Sequence, residues 1–372
     1  MNPLIKWPGG KSREIKHIEK MIPEFKRYIE PFFGGGAMFF YLRPQKALIN
    51  DISANLMEFY SLVKDQDKTF KQYLVAYHIL FMDLIENCEA EYDSINSIYT
   101  YLKSNNSLEY ETKSAIASVV AKITAKIYSA DAKLIVLDYN MLESKLIKMA
   151  TNKMVRTVKN ELELPFNEID LKENLITGFS SGLYMYFRDV YNDILLKRIT
   201  ETSKSYNIAN FYFIREYCYG SMFRYNTKGE FNIPYGGMSY NRKNLKSKID
   251  KIFSKDIRGL FENTSISCAD FHAFISSTEL NEHDFMFLDP PYDTDFSSYE
   301  GNDFTKLDQQ RLAKALRETK AKFILVIKNT EFIYSLYKDG FNVLCFDKKY
   351  TYNVRCRNER KVEHLIISNF TV

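Results

Sequence analysis

Residues 27–51 read R-Y-I-E-P-F-F-G-G-G-A-M-F-F-Y-L-R-P-Q-K-A-L-I-N-D. Arg27 to Pro31 reads as a short strand, Phe32 to Gly36 as a glycine loop, and A-M-F-F-Y-L as the opening of an apolar helix. K-A-L-I-N-D is a second short strand that ends on an acid. It leads into S-A-N-L-M-E-F-Y-S-L-V, a helix with Ser53 placed to cap it. Strand, glycine loop, helix, strand is the β-α-β unit of a doubly wound α/β domain.

The alternation stops near residue 64, and from there to about 206 the chain reads as helices. Ile116, Val119, Val120, Ile123 and Ile127 recur on one helical face. Leu142 to Lys159 is helical with a lysine-rich polar side, which a solvated face explains better than phosphate contact. Strand-like runs return in S-I-S-C-A-D, F-M-F-L-D, K-F-I-L-V-I-K-N, F-N-V-L-C-F and E-H-L-I-I-S-N-F. Three of them end in Asp or Asn, where an open α/β sheet carries its ligand loops. The expected organisation is a catalytic domain split into 1–63 and 255–372, a mainly helical insertion at 64–206, and a recognition segment at 207–254.

With 372 residues, 45% of them hydrophobic, the chain buries a sizeable core and is globular. A net charge of +4 permits a polyanionic partner without demanding one. Five scattered cysteines form no Cys-x-x-Cys or Cys/His cluster, so neither zinc nor a disulfide framework is indicated. No apolar signal region opens the chain and no run approaches a membrane span, so a cytoplasmic protein is expected.

Lys6 to Ser12, K-W-P-G-G-K-S, ends like a phosphate-binding P-loop. The first glycine of that motif would fall at Ile5, and only Met1 to Ile5 are available for the strand it needs, so a triphosphate cradle is rejected. Asp289-Pro290-Pro291-Tyr292 follows F-M-F-L. The prolines fix the turn, and the Asp289 carboxylate and Pro290 carbonyl are two acceptors beside an aromatic face. That set suits a planar amine such as the exocyclic amine of a base. A satisfied Asp at a Pro-Pro loop would use the same residues. Glycines at 34–36 let a ligand approach the backbone. Asp51 stands where such folds hold ribose hydroxyls. A tight turn and a helix cap are the structural alternatives for that pair.

Together K-W-P-G-G-K, E-P-F-F-G-G-G-A, N-D-I-S-x-N-L, R-Y-N-T-K-G-E-F-N-I-P-Y-G and D-P-P-Y, in this order, resemble the Dam-type, D12-class DNA adenine methyltransferases. The resemblance covers most of 1–62 and 208–372. It implies an α/β, Rossmann-like methyltransferase sheet with helices on both faces, and transfer of a methyl group from S-adenosylmethionine to a flipped-out adenine in double-stranded DNA. It assigns Trp7, Lys11, Phe32, Gly34, Gly36, Asp51, Asp270, Phe271 and Asp289 to the cofactor, and Asp289, Pro290 and Tyr292 to catalysis. No metal is implied.

The same resemblance makes Arg224 a guanine reader, Pro234 a thymine contact and Tyr219 a wedge beside the flipped base, with Lys6 and Asn226 on the DNA-reading surface. Gly220, Ser221 and Met222 replace the asparagine, glycine and leucine of the compact GATC enzymes. Gly237-Met238 replaces a basic residue and an aromatic, so a GATC-like site is open rather than fixed. The aromatic stretch Ser180 to Asn192 reads as a packed helix rather than a DNA-facing one. Lys348, Lys349, Arg355, Arg357, Arg360 and Lys361 read as a basic loop, either touching phosphates or solvated.

Other acceptors on the same fold (cytosine amine, RNA or a protein amide) and a silent DNA-binding regulator are the competing readings. D-P-P-Y and the intact catalytic positions speak against them. If a restriction system is served, its endonuclease is expected on another chain.

Overall fold

F-M-F-L and F-I-L-V-I are apolar at every position, as strands must be when both faces of a sheet are covered. The computed structural model describes residues 1–8, 15–105, 109–291, 304–349 and 361–371. Chain contacts divide it into two compact units, one made of 1–64 with 255–372 and the other of 65–254. The helical insertion and the recognition segment thus share one unit.

The first unit is built on seven strands: β1 (Arg27–Glu30), β2 (Ala47–Asn50), β3 (Thr264–Ser267), β4 (Asp284–Leu288), β5 (Lys322–Lys328), β6 (Asn342–Lys349) and β7 (Lys361–Ser368). Their order is β3-β2-β1-β4-β5-β7-β6, with β7 alone antiparallel to its neighbours. This is a mostly parallel, Rossmann-like sheet of the kind that the resemblance implies. One face buries Ile29, Met286, Leu288, Phe323 and Leu325 under the helices Phe271–Ser277, Lys306–Glu318 and Glu331–Tyr337. Tyr28 and Phe285 point the other way, toward Phe39 of the Ala37–Leu42 helix. At the amino ends of the strands Arg27 clasps Asp284 through 2.9 and 2.6 Å bonds, pairing β1 with β4 in register.

The second unit packs long helices, among them Lys68–Ala90, Tyr139–Glu161, Glu168–Leu195 and Lys204–Tyr217, around aromatic side chains. Tyr77 meets Phe187 at 4.7 Å and Phe81 meets Tyr217 at 4.3 Å between ring centroids. Tyr184, Tyr186, Phe187 and Tyr191 are buried, so the aromatic stretch at 180–192 is core, as its spacing predicts. No helix among the described residues is long and apolar enough to cross a membrane.

Candidate active site

β1 has β2 on one side and β4 on the other, so the strand order reverses between β1 and β4. The crevice beyond the carboxyl ends of such a pair is where open α/β sheets bind ligands. β1 runs into Pro31-Phe32-Phe33-Gly34 and β4 into Asp289-Pro290-Pro291, with Ile29 in register with Met286. The two motifs therefore emerge at the same edge of the sheet, and β2 adds Asn50-Asp51 beside them.

The glycine loop is fixed from both directions. Phe33 N–H donates to the Asn50 carbonyl (2.9 Å), and Gly36 N–H to that of Phe33 (2.7 Å). Asp51 accepts Gly34 N–H on Oδ2 (2.8 Å) and Ser53 N–H on Oδ1 (3.0 Å). Gly34 and Gly36 have φ of +50° and +67°, a region that costs other L-residues about 1–2 kcal/mol. A Cβ on Gly34 would stand 2.9 Å from the Trp7 indole, which lies over the loop.

Trp7 is the single tryptophan of the chain, so its emission reports on this loop alone. Titration with S-adenosylmethionine, the cofactor that the resemblance implies, should shift that emission, and Trp7→Phe should abolish the signal. Gly34→Ala should weaken cofactor affinity by about five- to tenfold, from left-handed strain plus displacement of the indole.

Fully buried Asn50 ties the neighbouring loops together. Its Nδ2 donates to the carbonyls of Pro31 and Ala269 (3.0 Å each), and its Oδ1 accepts Ala269 N–H (3.0 Å). Asp270 follows at once and caps the Phe271–Ser277 helix by accepting N–H bonds from His272 and Ala273. Its carboxylate also pairs with Arg311 at 2.6 Å, and the guanidinium lies 5.0 Å over the Phe271 ring. Phe271 is buried, with Phe32 5.2 Å away and Phe304 5.4 Å away. Phe32 and Asp270-Phe271 thus form one wall.

Three carboxylates converge at this edge. Burial pushes Glu30 well above the usual carboxylate range. The Tyr28 hydroxyl, donating at 2.8 Å, opposes the rise, and the charges of Asp289 and Asp51 add to it. Burial also raises Asp51, against the N–H bonds of Ser53, Gly34 and Ile52. Asp289 is half-buried, and Pro290 beside it is buried. Because Glu30 binds its proton more tightly folded than unfolded, it costs stability as pH rises from its unfolded value through its raised folded one. Glu30→Gln should therefore flatten the loss of melting temperature between pH 5 and 8 in the ligand-free protein. A slope identical to wild type would show that Glu30 does not titrate there.

In the helical unit Tyr217 to Gly236 forms a hairpin. Cys218 bridges to Tyr235, and Tyr225 to Phe231. Phe231, Ile233 and Tyr235 point inward, where Tyr184 donates to the Ile233 carbonyl (2.9 Å) and Asn192 brackets the backbone of Phe231 (3.1 and 2.8 Å). Tyr191 and Tyr225 share a hydrogen bond of 3.0 Å. The alternation leaves Pro234, Arg224, Met222 and Tyr219 exposed. Arg224 Nε donates to Asn232 Oδ1 at 3.2 Å.

The family model of the D12 class N6 adenine-specific DNA methyltransferases matches residues 7–173 and 145–352. The chain belongs to that family. Among its relatives, the Type II methyltransferase M.MjaIII of Methanocaldococcus jannaschii is 26% identical over the whole chain and 99% of its own length. Type II methyltransferase M.CviBI of Paramecium bursaria Chlorella virus NC1A is 25% identical over the full length of both. The retron Ec67 DNA adenine methylase of Escherichia coli is 33% identical over 38% of the chain and 47% of its own. The alignments with the first two relatives run over the whole chain, the helical segment included.

Of the residues singled out in the sequence, Trp7, Phe32, Gly34, Gly36, Asp51, Asp270, Phe271, Asp289 and Pro290 lie in the sheet unit, at or beside its switch point. Lys6 is exposed next to Trp7. Tyr219, Arg224 and Pro234 share the outer face of the hairpin. Asn226 spends its side chain on the turn itself: Oδ1 accepts Lys228 and Glu230 N–H, and Nδ2 donates to the Glu230 carboxylate. Lys11, Tyr292, Arg355, Arg357 and Arg360 lie outside the described residues. Lys348, Lys349 and Lys361, read as loop, belong to β6 and β7, where Lys349 faces Lys361 in the ladder. Among the described residues no Asp, Glu, His and Cys cluster could hold a metal ion. Sequence reading missed Glu30, Asn50, Gln309 and Arg311. Only Glu30 and Asn50 carried a signal, as polar ends of apolar strands.

Proposed function

We propose that this D12-class enzyme methylates the exocyclic amine of an adenine rotated out of duplex DNA at a short specific site, with S-adenosylmethionine as donor. The observation that carries the reading is the meeting of Asp289-Pro290 with the glycine loop and Asp51 at the switch point. The Asp51 and Asp289 carboxylates at this edge disfavour a phosphate and favour a cation, which fits a sulfonium cofactor and argues against a nucleoside polyphosphate. Trp7, Gly34, Asp51, Phe32 and Asp270-Phe271 would hold it, with Lys11 by family resemblance.

Bound there, the cofactor supplies an electrophilic methyl group. An adenine inside the duplex is out of reach and must be unstacked first. Asp289 and the Pro290 carbonyl would accept hydrogen bonds from its amine, raising electron density on the nitrogen and aligning it for direct attack. On transfer of the methyl group the amine nitrogen would shed a proton, which Asp289 would accept and pass to solvent. Tyr292 would stack on the base. Arg224 and Pro234, with Lys6, would read the site, whether GATC-like or another. The Type II names of the full-length relatives favour a restriction–modification setting, with the nuclease on another chain. A cytoplasmic location follows from a DNA substrate.

The test is expression in a methylation-free host followed by single-molecule sequencing and nucleoside mass spectrometry. N6-methyladenine at one recurrent motif supports the reading and defines the site. Methylcytosine, or methyl groups found only in RNA, reassigns the acceptor. An unmodified genome with folded protein present overturns it.

A further inference from the structure

Asp289-Pro290-Pro291 carries two consecutive prolines. Neither proline has a backbone N–H, so the two prolines can be held by hydrogen bonds only through their carbonyls. If the Pro290 carbonyl is to receive a substrate amine, another carbonyl must fix the turn. Gln309 does this: its Nε2 donates to the Pro291 carbonyl at 3.1 Å.

Gln309 is fully buried and stands in the first turn of the Lys306–Glu318 helix. That turn is closed by a capping box, with Asp308 Oδ2 accepting Thr305 N–H at 2.9 Å. The helix is seated in the core by Leu312, Ala313 and Leu316. The amide is therefore delivered to the turn from a rigid element. Its Oε1 is buried and has no partner among the described residues. A half-satisfied amide in an apolar core costs stability that leucine would not, so core packing does not account for a glutamine here. Asn50 follows the same logic at the other motif, where its buried amide donates to the Pro31 carbonyl.

We infer that Gln309 is a positioning residue for methyl transfer, holding the Asp289-Pro290 acceptors through the Pro291 carbonyl while leaving the Pro290 carbonyl open. The inference rests on the methyltransferase reading above. Wild-type transfer is measured first, so that a wild type inactive on every adenine-containing duplex strikes that reading and not the role of Gln309.

Two variants of the full-length protein then decide. Gln309→Leu should lower kcat by about tenfold or more, since small misplacements at a reacting centre are costly. Its melting temperature should hold, and the cofactor affinity read from Trp7 emission should stay within about threefold. Gln309→Glu keeps the shape and can donate only when protonated. Its activity relative to wild type should rise as pH falls from 8.5 to 6, through a carboxyl pKa raised by burial. The inference is overturned by a leucine variant with wild-type kcat, or by one whose loss only tracks a fall in melting temperature. If that variant does not fold, a glutamate variant with a pH-independent activity ratio overturns it alone.

Discussion

Replacing Asp289 with alanine should lower the single-turnover rate of methyl transfer by about 10³-fold, the scale found when one positioned polar partner of a reacting group is deleted. The carboxylate leaves the end of β4 at the switch point, and its neighbour Pro290 restricts it to an extended backbone. No other described acid stands at the end of β4. Glu30, whose carboxyl feels the Asp289 charge, is buried, and burial pushes it well above the usual carboxylate range. Stability should not fall with activity, because Asp289 is only half-buried and its charge disfavours the ionised form of the buried Glu30. Cofactor affinity, followed by Trp7 emission, should weaken only a few-fold, since Asp51 and the glycine loop under Trp7 remain in place. Asp289→Asn keeps one acceptor oxygen and should fall between wild type and alanine. Transfer by the alanine variant at more than a tenth of the wild-type rate would remove Asp289 from the chemistry.

The frame that places this carboxylate was readable because its signals are local. Arg27 to Asp51 shows strand, glycine loop, helix and strand in 25 consecutive positions, and F-M-F-L followed by two prolines marks a buried strand that must stop. The residues that hold the frame were not readable, because their partners are remote in sequence. Arg311 reaches back 41 positions to Asp270, and Asn50 reaches across 219 to Ala269. Gln309 is one of two glutamines in an ordinary helix start, and only the fold shows which is buried against the Pro291 carbonyl. Asn226 sits in a recognisable turn, yet whether its amide faces a base or its own backbone is decided by the register of the hairpin. The lysines at 348, 349 and 361 were read from charge alone, which says nothing about the ladder that pairs two of them.

Arg224→Ala should cost about 1–3 kcal/mol of discrimination at one base pair, a drop of roughly 5- to 150-fold in the kcat/KM ratio between the cognate duplex and the duplex altered there. The hairpin turns Phe231, Ile233 and Tyr235 inward and leaves Arg224 exposed with Pro234 and Met222. Asn232 takes the Nε bond of Arg224 at 3.2 Å, and among the described residues the two terminal nitrogens have no protein partner. Steadied through Nε, the guanidinium fork is presented for a two-pronged contact, and a guanine edge offers the O6 and N7 acceptors to match. A phosphate would also satisfy it, so the outcomes must separate the two. A base reader loses selectivity at one position, and Arg224→Lys fails to restore it because lysine lacks the planar fork. A phosphate contact instead weakens every sequence alike, lowers the salt slope by about one, and is largely repaired by lysine. Asn232→Ala, which frees the fork without removing it, should show a smaller loss at the same base pair. A loss at a different base pair would move the reading role away from this pair.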